Sequence, residues 1–532
     1  MNFNSLKDSF PFPEIRPSQE KALEKLSLDF EKGKRFSIFE LPTGTGKSGL
    51  ALSVIRAATL DPERKPFVSG GTILTSQKIL QQQYQREFDT LGLADLRGSS
   101  NYTCTEHDDS TCDIGQQMNK ITGNICTVCP YRQAKSNFCA SPIGVTNFSY
   151  FLTDSAYKED SKKLPAKKIL VIDEAHNTEN ALISHSEINI SRQRTEELEV
   201  KLPQRVLQFT DIEGAKTWTT SNLIPAMNSF TGKLRAEMLD PGKSRQELLP
   251  VAKKLTNYEQ FSENLDKFLE SSSKMWFINQ TENGINIKPL RGDVFAEEIL
   301  FSRAEHIVMM SATILDPKTF VRNLGIPTKS CGYLSLPSEF PASNRPIIFA
   351  PAGSMSFKNY DATLPKLLKR IHRVLSKHEG EKGIIHCNSF KLAQHIKEYF
   401  KGTPFESRLL DHDSKNRQFV VEQHMSSPLP TVLLSPSMTE GLDLRDDLSR
   451  FQVIAKIPFP SLADPYIKTR MELDPQWYQW QTCLALVQGL GRSIRSKDDF
   501  AVSYILDGDF KMLLHNSASI LPEWWLESIE FR

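Results

Sequence analysis

Residues 41–48 read Leu-Pro-Thr-Gly-Thr-Gly-Lys-Ser, a run whose residue types suit the binding of a phosphate chain. Gly44 and Gly46 carry no Cβ, so backbone N–H groups can approach phosphate oxygens closely. A helix beginning after Lys47 offers its positive end to the same anion. In the motif that this spacing matches, Lys47 reaches the β- and γ-phosphates and the Ser48 hydroxyl ligates Mg2+; Leu41 stands where the strict pattern has its first glycine. Pro42, Thr43 and Thr45 complete the loop.

Residues 171–176, Val-Ile-Asp-Glu-Ala-His, supply a chemical complement. An aspartate closing an apolar strand, here Asp173, can hold Mg2+. Its neighbour Glu174 can polarise an attacking water. A solvated acidic loop is the bland alternative. Later in the chain, Gln488 precedes Arg492 and Arg495, which are three apart and so share a helical face. Two guanidiniums there could stabilise charge on a transferring phosphoryl group, or form a structural salt bridge.

Five of the eight cysteines, Cys104, Cys112, Cys126, Cys129 and Cys139, crowd one segment. Clustered cysteines in a cytosolic chain more often bind metal than form disulfides. Four thiolates suit a tetrahedral zinc or an iron–sulfur cluster, and the two-residue gap from Cys126 to Cys129 is common to both. Two ligand sets fit the segment: Cys104, Cys112, Cys126 and Cys129, or Cys112, Cys126, Cys129 and Cys139. Free buried thiols are the reading without a metal.

These groups need elements to position them. Residues 35–58 read as a buried strand, a glycine-rich turn and a helix. Residues 167–173 and 306–313 are further apolar strands running into small polar residues. Strands alternating with helical patterns argue an α/β fold with parallel sheets and chemistry at the strands' carboxyl ends. The pattern restarts with strands near 382–390, 430–444 and 451–460, so a second α/β domain is expected from about residue 334, starting near the proline-rich passage 334–346. Between two strands of the first sheet, Leu255, Tyr258, Phe261, Leu265 and Phe268 recur at helical spacing. This marks a helical insertion over 186–274.

Composition narrows the class. The chain has 532 residues, 39% hydrophobic and 24% charged, with a net charge of +1. That is ordinary for a soluble globular protein, and the balanced charge is compatible with a local basic groove. No apolar run approaches the roughly 20 residues of a membrane span, and the N-terminus has no signal-peptide pattern, so a cytoplasmic protein is expected.

Taken in order, the motifs resemble those of superfamily 2 helicases, and more narrowly the DinG/XPD-type iron–sulfur DNA helicases with a DEAH box. The matching stretches are RPSQEKAL (16–23), ELPTGTGKS (40–48), TILTSQKILQQQ (72–83), DEAHN (173–177), MSATIL (310–315), SPSMTEGLDL (435–444) and QGLGRSIRS (488–496). The resemblance implies two RecA-like motor domains: the first in three parts (1–96, 146–185 and 275–333), the second over 334–532. A cysteine-rich cluster domain (97–145) and an arch-like helical insertion (186–274) interrupt the first. ATP and Mg2+ are the implied cofactors. Arg16, Gln19 and Asp443 join the phosphate loop in binding nucleotide. Lys47, Asp173, Glu174, Gln488, Arg492 and Arg495 carry catalysis, and Ser48 and Asp173 hold Mg2+.

The resemblance further implies a 4Fe–4S cluster on Cys104, Cys112, Cys126 and Cys129, with zinc as the alternative and Cys139 spare. The implied activity is 5′-to-3′ translocation on single-stranded DNA and unwinding of forked duplexes. DNA repair is one of several pathways that could use such a motor. A protein-displacing translocase and a non-enzymatic nucleic-acid binder are the alternatives. Thr75, Ser76, Gln77 and Ser389 suit phosphate contacts. Tyr102, Phe148 and Tyr150 suit either base stacking or core packing. The basic stretch 366–382 reads as a solvated helix face.

Overall fold

The computed structural model describes all residues except 61–65, 107–109, 123–125, 158–162, 204–207, 210, 241, 272–274, 414, 437–443, 445, 492 and 495–498. Contacts divide the chain into two units. One comprises Met1–Phe39, Lys47–Met310 and Phe320–Tyr333; the other comprises Glu40–Gly46, Ser311–Thr319 and Leu334–Arg532.

A seven-stranded sheet is ordered Cys331–Ser335, Phe36–Glu40, Ala304–Ser311, Lys167–Asp173, Val68–Thr75, Ile143–Asn147, Ala94–Asp95. Lys167–Asp173 pairs in parallel with Ala304–Ser311 on one side and Val68–Thr75 on the other. All seven of its residues are buried, and its apolar run lacks polar alternation, as a strand covered on both faces requires. The register sets Met310 opposite Asp173, so this strand ends in a carboxylate where its neighbour ends in Ser311.

The second sheet is ordered Leu409–Asp411, Val432–Ser435, Gly383–His386, Phe451–Ile454, Val502–Asp507, Ile347–Gly353, Ile529–Phe531, with every pairing parallel. The helix Tyr360–Lys377 buries Leu367, Leu368, Ile371, Val374 and Leu375. Its Lys366 and Lys369 are exposed, so the basic stretch is a solvated face, as its periodicity implies.

The segment 186–274 differs from the helical expectation. Tyr258, Phe261, Leu265 and Phe268 are buried along a long helix, Arg245–Glu270. The segment also contributes strands Ile188–Ser191 and Gln208–Phe209. These join Gly284–Pro289 and Trp276–Thr281 in a four-stranded sheet whose pairings are antiparallel. Ile188 and Ile190 point inward around an exposed Asn189, a period-two signal too short to stand out beside the helices. Gly284 closes the hairpin at φ +131°, and a Cβ there would lie 2.0 Å from the Ile190 carbonyl oxygen. Among the described residues no helix is long and apolar enough to cross a membrane.

Candidate active site

The phosphate loop is built by its glycines. Gly44 and Gly46 adopt φ +87° and +75°, the left-handed region that other residues avoid. Thr45 turns its hydroxyl inward to the Pro42 carbonyl at 2.8 Å. The helix Lys47–Thr59 follows directly, with Lys47 and Ser48 both half-buried in its first turn. Gly49 allows Phe10 and Phe12 to pack on that helix, since a Cβ would meet their rings at 3.0 and 3.3 Å.

Asp173 lies buried at the carboxyl end of its strand. Tyr84 donates its hydroxyl to Oδ2 at 3.0 Å, and the Glu174 amide donates to Oδ1 at 2.9 Å. Burial, reinforced by the Glu174 charge, raises the Asp173 carboxyl to about 6, while the Lys47 ammonium opposes the rise. The structure thus brings Lys47, Asp173 and Glu174 within electrostatic reach of one another. Glu174 holds φ +50°, unusual for a residue with a side chain, and its carboxylate lies 3.4 Å from His176 Nδ1. Such backbone strain persists only where the surroundings impose it, and it gathers at functional sites.

Glu40 and Tyr84 escaped the sequence reading. Glu40, buried just before the loop, accepts hydrogen bonds from Ile314 and Leu315 N–H at 2.8 and 2.9 Å. It thereby fixes the turn after Ser311. Thr313 in that turn accepts from Gln488 Nε2 at 2.8 Å, and the Ile314 carbonyl accepts from Trp480 Nε1 at 2.7 Å. Gln488 is therefore placed against the Ser311–Leu315 turn. Arg492, Arg495 and Asp443 lie outside the described residues. Gln19 Oε1 accepts from the Arg16 amide at 2.9 Å, capping the helix Pro17–Glu31. That bond gives both residues a local structural task.

The cysteine segment folds as a short bridge followed by two helices. Thr103 pairs with Thr111, the Cys104 amide bonds the Ser110 carbonyl, and the Cys112 amide bonds the Tyr102 carbonyl. This draws Cys104 and Cys112 together across seven intervening residues. Burial pushes the Cys112 thiol up; the Cys129 and Cys104 thiols push the same way, the Cys129 thiol also hydrogen-bonding it. Burial likewise raises the Cys126 thiol, which accepts from Asn119 Nδ2 at 2.9 Å and feels Glu106 and Cys129. Glu106 ties this loop by accepting from Thr127 N–H and hydroxyl at 2.5 and 2.9 Å.

Cys139 lies elsewhere. It sits near the end of the helix Pro130–Ala140, about 15 Å along the axis from Cys129, and acts electrostatically on Tyr150 and Lys167. Cys104, Cys112, Cys126 and Cys129 thus match a thiolate-bound centre in donor type alone. Among the described residues, however, no group of three or more His, Cys, Asp or Glu is positioned to hold a metal ion.

Of the aromatics expected near this segment one is buried, and Tyr102 and Tyr150 are half-buried. Phe148 is buried, Tyr131 and Tyr150 join hydroxyls at 2.8 Å, and the Tyr102 hydroxyl accepts from the Arg97 amide at 3.1 Å. Ser389 spends its hydroxyl capping the helix Phe390–Phe400.

Comparison with known proteins agrees with this geometry. The family model described as a helicase C-terminal domain matches residues 371–528, and that of the type III restriction enzyme res subunit matches residues 12–210. The chain is 23% identical over 608 residues to the ATP-dependent DNA helicase YoaA of Escherichia coli, covering 95% of this chain and 93% of that protein. It is 29% identical over 250 residues to the ATP-dependent DNA helicase DinG of Photobacterium profundum, covering 43% and 35%. Among solved structures, an XPD helicase aligns with TM-score 0.62 at 14% identity over 98% of this chain and all of that one. The Xpd4 protein of S. tokodaii aligns with TM-score 0.58 at 15% identity over 97% and 99%. With two parallel sheets and matches over nearly the whole chain, this protein is similar to the DinG/XPD-type superfamily 2 helicases.

Proposed function

We propose that this chain is an ATP-dependent DNA helicase that moves 5′ to 3′ on single-stranded DNA and opens forked duplexes. The observation that carries the reading is the buried Asp173 at a strand's carboxyl end, oriented by Tyr84 and facing the Lys47 charge. Full-length similarity to a protein named as an ATP-dependent DNA helicase supports DNA as the substrate.

In this account the Gly44–Gly46 loop wraps the phosphate chain and Lys47 holds its outer phosphates. Ser48 and Asp173 would hold Mg2+, which would neutralise phosphate charge. The Tyr84 and Glu174 hydrogen bonds keep the Asp173 carboxylate in one orientation. Glu174 polarises the attacking water. Gln488 links the Ser311–Leu315 turn to the helix that leads to Arg492 and Arg495, and those arginines stabilise charge on the transferring phosphoryl group. Arg16 and Gln19 serve the base side, and Asp443 serves the nucleotide from the second domain.

The cysteine segment adds a second element. A 4Fe–4S cluster held by Cys104, Cys112, Cys126 and Cys129 would supply the folding free energy that a segment so small cannot draw from its own core. The distance to Cys139 argues against the rival ligand set.

Phosphate release with and without single-stranded DNA tests the motor. DNA-stimulated hydrolysis in the wild type, lost in Lys47→Ala, is the expected result. Hydrolysis that survives Lys47→Ala would overturn the assignment of the site.

A further inference from the structure

Two phenylalanines stand out of the second sheet's carboxyl edge. Phe357 is 99% exposed and Phe390 is 61% exposed. Each lies in the same triplet: Ser356-Phe357-Lys358 follows the strand Ile347–Gly353, and Ser389-Phe390-Lys391 follows the strand Gly383–His386.

Both rings are held outward by ordered structure. On one side of Phe357, the buried Met355 donates its amide to Asp507 at 3.0 Å; on the other, Tyr360 is buried. Between these anchors Asn359 bonds Ser356 twice, amide to carbonyl at 3.0 Å and Nδ2 to Oγ at 3.1 Å. Phe390 opens a helix capped by Ser389, and the burial of Leu392 in that first turn leaves Phe390 on the outer face.

The two triplets belong to one patch. Tyr360 Oη meets His395 Nδ1 at 3.0 Å, and Lys391 Nζ sits 5.0 Å above the Tyr360 ring. Lys358 and Lys391 are exposed. Exposed rings interleaved with ammonium groups and hydroxyls, at the carboxyl edge of a parallel sheet, are the combination that sequence-tolerant single-strand binding uses.

We propose that Phe357 and Phe390 form a base-stacking platform for single-stranded DNA, with Lys358 and Lys391 on its phosphates. This inference rests on the DNA-helicase reading and adds residues to it.

The test is fluorescence anisotropy of the full-length chain with a labelled oligo(dT), over a series of salt concentrations. Phe357→Ala and Phe390→Ala should each weaken binding about tenfold, and the double variant more. The slope of affinity against salt should stay unchanged, because no phosphate contact is lost. Phe357→Tyr should bind like the wild type. Phe419→Ala, which removes an exposed ring on another helix, should also leave affinity unchanged. Wild-type affinity in the Phe357→Ala/Phe390→Ala variant would overturn the platform while leaving the helicase reading intact. Failure of the wild type itself to bind oligo(dT) would overturn both.

Discussion

Tyr84 shows what a single residue adds to the site. Its hydroxyl bond to Asp173 joins a helix to the carboxylate proposed to hold Mg2+. Tyr84→Phe removes that bond and keeps the packing. A hydrogen bond to a charged group is worth about 1.5–3 kcal/mol, so the Mg2+ needed for half-maximal hydrolysis should rise at least several-fold. An unchanged Mg2+ dependence would contradict the positioning role. Lys47→Ala should lower kcat by about 10²–10³, the cost of losing one preorganised charge donor. At the cysteines, Cys129→Ser should lose iron and acid-labile sulfide from anaerobically purified protein, while Cys139→Ser keeps about four of each. Zinc without iron, or loss on changing Cys139, would overturn the ligand set. Lys47 and Asp173 were legible because their chemistry follows local spacing, whereas the choice of four cysteines came from the family resemblance. Tyr84 and Glu40 were not, since their partners are distant in the chain and only the folded sheet brings them together.

At the scale of elements, legibility followed length and periodicity. Lys167–Asp173 and Ala304–Ser311 are long apolar strands, and the helix around Tyr258–Phe268 repeats its apolar face over several turns. Each stood out in the sequence. The antiparallel sheet containing Ile188–Ser191 and Gly284–Pro289 did not, because strands of four to six residues give little alternation to read. Its weak point is a glycine. Gly284→Ala must force a Cβ towards the Ile190 carbonyl at a positive φ, so it should destabilise the chain by at least about 1 kcal/mol. Thermal unfolding reads this directly, and an unchanged midpoint would argue that the hairpin is not formed as described. The Arg492 and Asp443 assignments rest on motif order alone, since both lie outside the described residues.

For the molecule as a whole, buried titratable groups set a pH dependence. Burial pushes His306 down to about 3, and His185 and His424 down to about 4, so all three stay neutral when folded. An unfolded histidine takes up a proton below about 6.5, so acidification favours the unfolded chain, by up to ~1.4 kcal/mol per pH unit for each group. Asp173 and Asp507, raised to about 6, act oppositely by taking up protons first in the folded chain. Burial also lowers His378 and raises Asp95, Glu263 and Asp266, and because unfolded histidines titrate nearest this range, in Mg2+-free buffer the unfolding midpoint should fall between pH 7 and pH 5.5. A rise would contradict this balance. The central claim, that hydrolysis drives strand separation, has a more direct test. Forked duplexes carrying only a 5′ or only a 3′ tail should be mixed with the protein and ATP, and the released strand measured. The account predicts release from the 5′-tailed duplex, little from the 3′-tailed one, and none with Lys47→Ala. DNA-stimulated hydrolysis without release from either substrate would contradict it.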